Sequence, residues 1–335
     1  MSKVVNIGLI GAGEVAQNFH LPILNKLPNA YLCALTDRTI TKAQNIAQRY
    51  NIPYYTTNFD EMLSEESIDA IFITTPTETH YDYVKKSLLA GKHVFIEKPA
   101  TSTSQELIEL RAIAKEKNLK VMIGMNHRFR NDASQLKNFV NNGNMGDILY
   151  IKTGWLQKKQ GFTWQKKFES LDRGVLLDLG LSLVDSVLWL SDFKEVRSVK
   201  ATNFHRLSDS YEDFSIAQIN FEDGSVGFIE CSWAIFSSET NFYCDVFGRM
   251  GSSKINPLQL YKSNGDIIKP NSSGDKRTNL HLHIKSYENE IKHFINSVIG
   301  FVPVLSTMGE AIKAMKLIEA MYQSAKENKE ILVDL

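Results

Sequence analysis

The sequence predicts an α/β domain with a doubly wound parallel sheet over residues 1–124. An α+β domain with a large, mostly antiparallel, open-faced sheet follows over residues 125–335. Three observations lead there. A glycine-rich turn, Gly11-Ala12-Gly13-Glu14-Val15-Ala16, joins a strand pattern to a helical one. Strand and helix patterns then alternate as far as residue 124, as in a parallel sheet covered on both faces. From residue 148 the rhythm changes, and strand mostly follows strand.

Composition narrows the function classes. Of 335 residues, 43% are hydrophobic and 23% charged, ordinary for a globular protein with room for two cores. The formal net charge is zero and no long basic run occurs, so neither nucleic acid nor an anionic membrane is the expected partner. Cys33, Cys231 and Cys244 are few and widely spaced. They suggest neither a disulfide framework nor a metal site, and fit a reducing cytoplasm. The opening Met-Ser-Lys leads into a β-like run without a signal-peptide pattern, and no apolar run reaches membrane-spanning length.

Val4–Ile10 is rich in β-branched residues and reads as the first strand. The G-x-G-x-x-A turn after it is a dinucleotide loop. Gly11 permits the tight turn, Gly13 lets the backbone approach a pyrophosphate, and Ala16 lets the helix pack close to the strand. Glu14 and Val15 complete the loop, and the helix that follows offers its N–H groups to the phosphates. The next strand, Tyr31–Thr36, ends in Asp37, placed to receive the adenosine ribose hydroxyls or, alternatively, to act as a cap or turn residue before the helix Thr39–Tyr50. An acid there repels a 2′-phosphate and favours NAD; the adjacent Arg38 could neutralise that phosphate and permit NADP.

Asp60–Ser64 reads as a short helix and Ile68–Thr74 as a buried strand that leads into Thr74-Thr75-Pro76-Thr77. His80 opens the next helix, as a capping or phosphate-side residue rather than a catalyst. Val94–Glu97 is a strand that ends in Glu97-Lys98-Pro99. Ligands of such sheets bind beyond the carboxyl ends of the strands, so Lys98 could place its ammonium on a substrate oxygen; otherwise it is a solvated strand end. A cis bond before Pro99 would fix the direction of the lysine. The helix Ser104–Lys117 and the strand Lys120–Gly124 complete the domain.

These motifs, in this order and spacing, resemble the Gfo/Idh/MocA oxidoreductases, the group of glucose–fructose oxidoreductase and inositol dehydrogenase. The segment Tyr287–Phe294, Pro303-Val304 and the helix Glu310–Lys326 are similar too, so the resemblance covers essentially the full length. It implies an N-terminal Rossmann domain that binds NAD, with NADP also admitted. Gly11, Gly13, Glu14, Val15, Asp37, Arg38, Thr75, Pro76, Thr77, His80, Glu97, Lys98 and Asn126 would surround the cofactor. Lys98 would be the catalytic lysine. Asn126 and Arg128 match a motif near the nicotinamide and substrate; otherwise they form a polar hinge.

In the second domain a helix Asp132–Asn141 ends at Asn142-Gly143. Ile148–Trp155, Val196–Phe204, Phe214–Phe221, Ser225–Trp233 and Asn241–Phe247 read as strands. In the third of these, apolar Ala217, Ile219 and Phe221 alternate with Gln218 and Asn220, as on a strand buried on one face. Asp223-Gly224 and Asn264-Gly265 read as two-residue hairpin turns. The resemblance implies that the open face of this sheet joins subunits into a homodimer or homotetramer.

Trp155, Phe162 and Trp164 lie among Lys158, Lys159, Lys166 and Lys167. They could form a platform for a sugar ring, with lysines for an anionic substituent, or simply anchor a lid. The run Arg173–Asp185 is a nearly all-apolar, hence buried, helix with Asp178, Ser182 and Asp185 on one face. A buried carboxylate needs a partner, and an adjacent lysine would supply one to Asp178.

The related motif is Asp-x-Gly-x-His-x-x-Asp. Asp178, Gly180 and Asp185 match it, and Ser182 stands at the histidine position. In the resembled dehydrogenases that histidine is the general base, whereas a serine relays a proton without holding it. Three options follow. Burial lets Lys98 itself exchange the proton; another group, with His127, His205 and the tyrosines as candidates, replaces the histidine in space; or the chain does different chemistry.

The expected function is hydride transfer between a nicotinamide and a sugar, cyclitol or related polyhydroxy compound. Lys98, Asp178 and Ser182 would be at the chemistry, and Lys98, Arg128, Trp155, Trp164 and Asp178 on the substrate. The alternatives are an NAD-using glycoside hydrolase or lyase, reduction of a non-sugar substrate, and a cofactor-binding protein without turnover.

Overall fold

The computed structural model describes residues 3–158, 173–207, 209–270 and 279–335. Six strands, β1 (Val5–Ile10), β2 (Ala30–Thr36), β3 (Tyr54–Thr56), β4 (Ala70–Ile73), β5 (His93–Glu97) and β6 (Val121–Gly124), form a sheet in the order β3-β2-β1-β4-β5-β6. Every pairing is parallel. Helices α1 (Leu21–Leu24), α2 (Ile40–Tyr50), α3 (Phe59–Leu63), α4 (His80–Leu89) and α5 (Ser104–Glu116) connect the strands. β4 and β6 are buried at every residue, as the continuous apolar runs require.

Local chemistry sets the helix ends. Thr103 and Glu106 form a reciprocal capping box at the start of α5. α2 stops at Asn51, whose φ of 55° is left-handed, and Ile52 N–H closes back on the Ala47 carbonyl at 2.8 Å. A π-turn, Ala16–His20, precedes α1. Pro22, in the first turn of α1, has no N–H to continue the ordinary ladder, which accounts for the widened turn.

Further along lie α6 (Asn131–Asn141), β7 (Ile148–Lys158), a second π-turn Leu176–Gly180 and α7 (Leu181–Leu190). β8 (Val196–Phe204), β9 (Phe214–Phe221), β10 (Val226–Ile235), β11 (Asn241–Gly248), β12 (Gly251–Lys254), β13 (Gln259–Lys262) and β14 (Ile267–Ile268) follow. The chain closes with α8 (Asn279–Ile299), α9 (Met308–Glu327) and β15 (Ile331–Leu332). These strands form one sheet in the order β14-β13-β12-β11-β7-β10-β9-β8-β15. It is antiparallel except that β7 and β10 run parallel. In β9 the buried residues are Ser215, Ala217, Ile219 and Phe221, the expected alternation. α7 packs on β7 and β10, and Gly227 makes room for it, since a Cβ there would lie 2.6 Å from Val187 Cγ1.

The hairpins differ from the two-residue turns expected. Gly224 N–H donates to Phe221 O and Phe221 N–H to Ser225 O; Gly265 and Lys262 repeat the pattern with Asp266. Only the glycines, at φ 84° and 89°, are left-handed. One such residue rather than two makes these three-residue loops with a glycine bulge.

The chain divides into two compact units, Met1–Phe129 with Ile284–Ile312, and Arg130–His283 with Lys313–Leu335. The first takes in a late segment of the chain because Phe294 stacks edge-on against Phe72 and Phe95, 5.4 and 5.6 Å between centroids, and is fully buried there. Among the described residues no helix is long and apolar enough to cross a membrane.

His93, at the start of β5, has a pH consequence. Burial pushes its imidazole below the usual value, and the charge of Lys120 adds to that. Its Nδ1 accepts the Lys120 backbone N–H at 3.0 Å, a role open only to the neutral ring. The unfolded chain takes up a proton near its ordinary value, about 6.5, that the native chain resists. This contribution to stability is therefore full above that pH and is lost as pH falls through the lower native value. His93→Asn keeps an acceptor at the spot and cannot titrate. Between about pH 7.5 and 5 its unfolding midpoint should fall less steeply than that of the parent; equal slopes would clear His93 of the effect.

Candidate functional site

The first unit holds an open cleft of about 580 Å³ at the carboxyl ends of the strands, lined by Gly11, Gly13, Asp37, Arg38, Thr75 and Pro76 among others. Gly11 has φ +90°, and a Cβ there would meet Thr75 Cγ2 at 2.7 Å and the Thr74 carbonyl at 3.0 Å. The loop is therefore pressed against the Thr74-Thr75 turn, and Thr74 Oγ1 donates to Gly11 O at 2.6 Å. Glu14 is exposed and Val15 half-buried; neither lines the cleft.

Asp37 is held at the cleft wall. Its Oδ2 accepts the Ala12 N–H at 3.0 Å and the Lys42 ammonium at 2.9 Å, and its Oδ1 accepts the Thr39 N–H at 3.1 Å. Burial alone would raise its carboxyl, but Lys42 and the N–H groups outweigh burial and hold it below the usual range. The contact with Thr39 is that of a turn residue just before α2. Arg38 is exposed at the same wall.

At the end of β5, Glu97 Oε1 lies 2.6 Å from Nε2 of His20, a fully buried ring ringed by Phe72, Phe95 and Tyr287. Gly124 leaves space for that carboxylate: a Cβ there would lie 3.2 Å from Glu97 Oε2. Lys98 is half-buried, and the Lys98–Pro99 bond is cis. Beneath it, the buried His80 ring bridges two backbone segments, with Nδ1 2.7 Å from Pro99 O and Nε2 2.7 Å from Thr75 O. His80 thus fastens the lysine turn to the threonine turn. Thr77 is buried beside it in the chain and outside the cleft lining.

Asn126 donates to Ser286 Oγ at 3.1 Å, and Arg128, its side chain 2% exposed, faces Glu310 at 3.2 Å. Both residues tie the turn after β6 to the late segment that joins this unit.

In the second unit Asp178, Ser182 and Asp185 are all buried. Asp178 sits within the π-turn and its Oδ2 accepts the Trp233 indole N–H at 3.1 Å. The Ser182 carbonyl accepts from Ser186 Oγ at 2.8 Å. Trp155 is half-buried and meets the Phe242 ring edge-on at 5.9 Å. Trp164, with Phe162, Lys159, Lys166 and Lys167, lies outside the described residues, whereas Lys158 is exposed at the end of β7. Of the histidines named for the missing base, His127 is buried in the first unit and His205 is exposed. Among the described residues no cluster of His, Cys, Asp or Glu is arranged to hold a metal.

Two contacts were out of reach of motif reading. His20 was hidden because its partner Glu97 is 77 positions away. Trp233 ends a strand pattern, and nothing in that pattern names the acceptor of its indole N–H.

Residues 5–125 match the model of an oxidoreductase family with an NAD-binding Rossmann fold, and residues 137–334 match the C-terminal alpha/beta domain of that family. D-glucoside 3-dehydrogenase of Escherichia coli (strain K12) is 26% identical, over 97% of this chain and 96% of its own. The scyllo-inositol 2-dehydrogenase (NADP(+)) of Bacillus subtilis (strain 168) is 28% identical over 56% of this chain and 51% of its own. Among solved structures, levoglucosan dehydrogenase with NADH and levoglucosan superimposes with a TM-score of 0.88 at 18% identity, over 99% of this chain and 100% of that one. The apo scyllo-inositol dehydrogenase of Lactobacillus casei gives 0.84 at 22%, over 99% of each chain.

Proposed function

Because the chain belongs to the Gfo/Idh/MocA family of NAD-binding oxidoreductases, we propose that it is an NAD-dependent dehydrogenase of a sugar, cyclitol or related polyhydroxy compound. The observation that carries this reading is Lys98 at the carboxyl end of β5, braced by the Glu97–His20 contact and the His80 bridge. It lies in the unit whose cleft offers a bare glycine loop and an ionised Asp37. Bound NAD supplies the acceptor for the carbinol hydrogen as hydride; the protein supplies placement and the handling of the proton.

Lys98 is assigned to the substrate hydroxyl oxygen. Its ammonium stabilises negative charge that develops there and relays the hydroxyl proton, taking it up as one of its own passes to water, while the carbinol becomes a carbonyl. Ser182 can relay a proton but not keep one, and the hand-over of the proton to water is assigned to Lys98. Asp178, with Trp155 and Trp164, is assigned to substrate hydroxyls and ring faces; Arg128, paired with Glu310, is assigned to holding its turn. Asn126, Glu97, Thr75, Pro76 and Thr77 are assigned to the shell around the cofactor. The Escherichia coli glucoside dehydrogenase, similar over nearly the whole length, supports net oxidation over an internal redox cycle in a hydrolase.

A panel of myo-inositol, scyllo-inositol, methyl glucoside and levoglucosan, each incubated with protein and NAD, tests the reading. Steady formation of NADH with one of them is expected. Release of a free sugar from the glucoside with no net NADH would favour the hydrolase instead.

The open face of the nine-stranded sheet is assigned to contact with a second copy. It carries stacked Tyr150 and Phe247 and the Lys152 ammonium 4.9 Å above the Tyr243 ring. Sedimentation should give a dimer or tetramer; a monomer at all concentrations would refute the assignment.

A further inference from the structure

Among the described residues, the start of the helix that carries Asp178 is capped by a residue distant in sequence. The first N–H groups of a helix lack acceptors within it, and here a distant residue supplies them. Glu212 accepts the Gly174 N–H on both carboxylate oxygens at 3.1 Å, the Leu176 N–H on Oε1 at 2.9 Å, and the Val175 N–H on its carbonyl at 3.0 Å. Gly174 is what allows this approach, since a Cβ there would lie 1.9 Å from the Glu212 carbonyl oxygen. Tyr322, from α9, donates its hydroxyl to the same Oε1 at 2.7 Å. Burial, with the Glu212 charge beside it, keeps the Tyr322 phenol protonated far above the usual range, so that it remains a donor.

The residues on either side of Glu212 hold the other end of Asp178. Asp213 O accepts the Trp233 backbone N–H at 3.1 Å, and the Tyr211 ring meets the Trp233 ring edge-on at 5.8 Å. Trp233 then donates to the Asp178 carboxylate. Residues 211, 212 and 213 therefore set both the backbone turn on which Asp178 stands and the indole that orients its side chain.

We propose that Glu212 is a positioning residue that fixes Asp178 for the reaction, and that it does so as a carboxylate acceptor of three converging donors. This rests on the assignment of Asp178 to the substrate. A neutral amide of the same size serves less well: with its oxygen at the Oε1 position, its NH2 group faces the Gly174 N–H that Oε2 accepts, and the negative charge that strengthens all three bonds is lost.

The test is a double-mutant cycle on the full chain, with NADH formation read on whichever compound of the panel the parent protein oxidises. Glu212→Gln should lower kcat by about tenfold to a hundredfold, with NAD affinity unchanged. In an Asp178→Asn background it should have no further effect, because the group it positions is gone. Overturning results are a full-rate Glu212→Gln enzyme beside a slow Asp178→Asn enzyme, or two reductions that simply multiply. A full-rate Asp178→Asn enzyme would instead remove Asp178 from the reading above, and the proposal with it. Should Glu212→Gln fail to fold, Tyr322→Phe removes one donor to the same carboxylate. Its smaller loss, roughly threefold to tenfold, should likewise vanish in the Asp178→Asn background, and persistence there overturns the proposal.

Discussion

Lys98→Ala should lower hydride transfer by about three orders of magnitude while NAD affinity stays within about twofold. The size follows from two losses at one atom. The ammonium that stabilises the developing oxyanion disappears, and so does the group that relays the hydroxyl proton to water. With Ser182 at the place of the related histidine, no neighbouring imidazole is assigned to take over. Cofactor affinity should survive because the cleft assigned to the adenosine end, from Gly11 to Asp37 and Arg38, makes no use of residue 98. Equilibrium titration of NADH fluorescence and single-turnover rates on the same preparation separate the two effects. Retained turnover would remove Lys98 from the mechanism.

Asp37→Ala should weaken NAD by roughly tenfold to a hundredfold, the scale of losing a hydrogen bond to a charged acceptor. NADP should be weakened less, or even gain. In the parent, Lys42 is engaged by Asp37 at 2.9 Å. Removing the carboxylate releases that ammonium beside the exposed Arg38, and the two together face a 2′-phosphate without an opposing charge. Because the Asp37 carboxyl is held below its usual range, NAD preference should be constant through neutral pH and fade only as the carboxylate is protonated in acid. Dissociation constants for both cofactors, parent against variant, decide this. An unchanged ratio would mean that Asp37 serves only to hold Thr39 and the glycine loop.

What motif reading reached is what is written locally. The glycine loop and the strand ends at Asp37, Thr75 and Lys98 sit at short, fixed spacings around strands apolar on both faces, and all fall at the carboxyl edge of one sheet. The alternation along β9 likewise announced a sheet with one open face. What it missed is contact across sequence. Nothing near residue 294 says that Phe294 packs between Phe72 and Phe95, so the late segment of the first unit read as part of the second domain. His20–Glu97 and Glu212–Gly174 are pairs of side chain and backbone that only folding brings together. The π-turn before α1 left a trace in Pro22, whereas the one at Asp178 has no comparable mark in its apolar run. The parallel pairing of β7 and β10 was hidden because strand patterns carry no direction, and β12 to β14 are too short to show a period.

Hydride transfer from a polyhydroxy substrate to nicotinamide carries the isotope of the carbinol hydrogen with it. Deuterium placed on the carbinol carbons of the panel compounds tests it most directly, with mass spectra of the nicotinamide product after incubation with protein and NAD. Hydride transfer predicts deuterium at nicotinamide C4 and a matching amount of carbonyl product. It is contradicted if a folded, NAD-saturated protein leaves the nicotinamide unlabelled with every polyol, cyclitol and glycoside supplied.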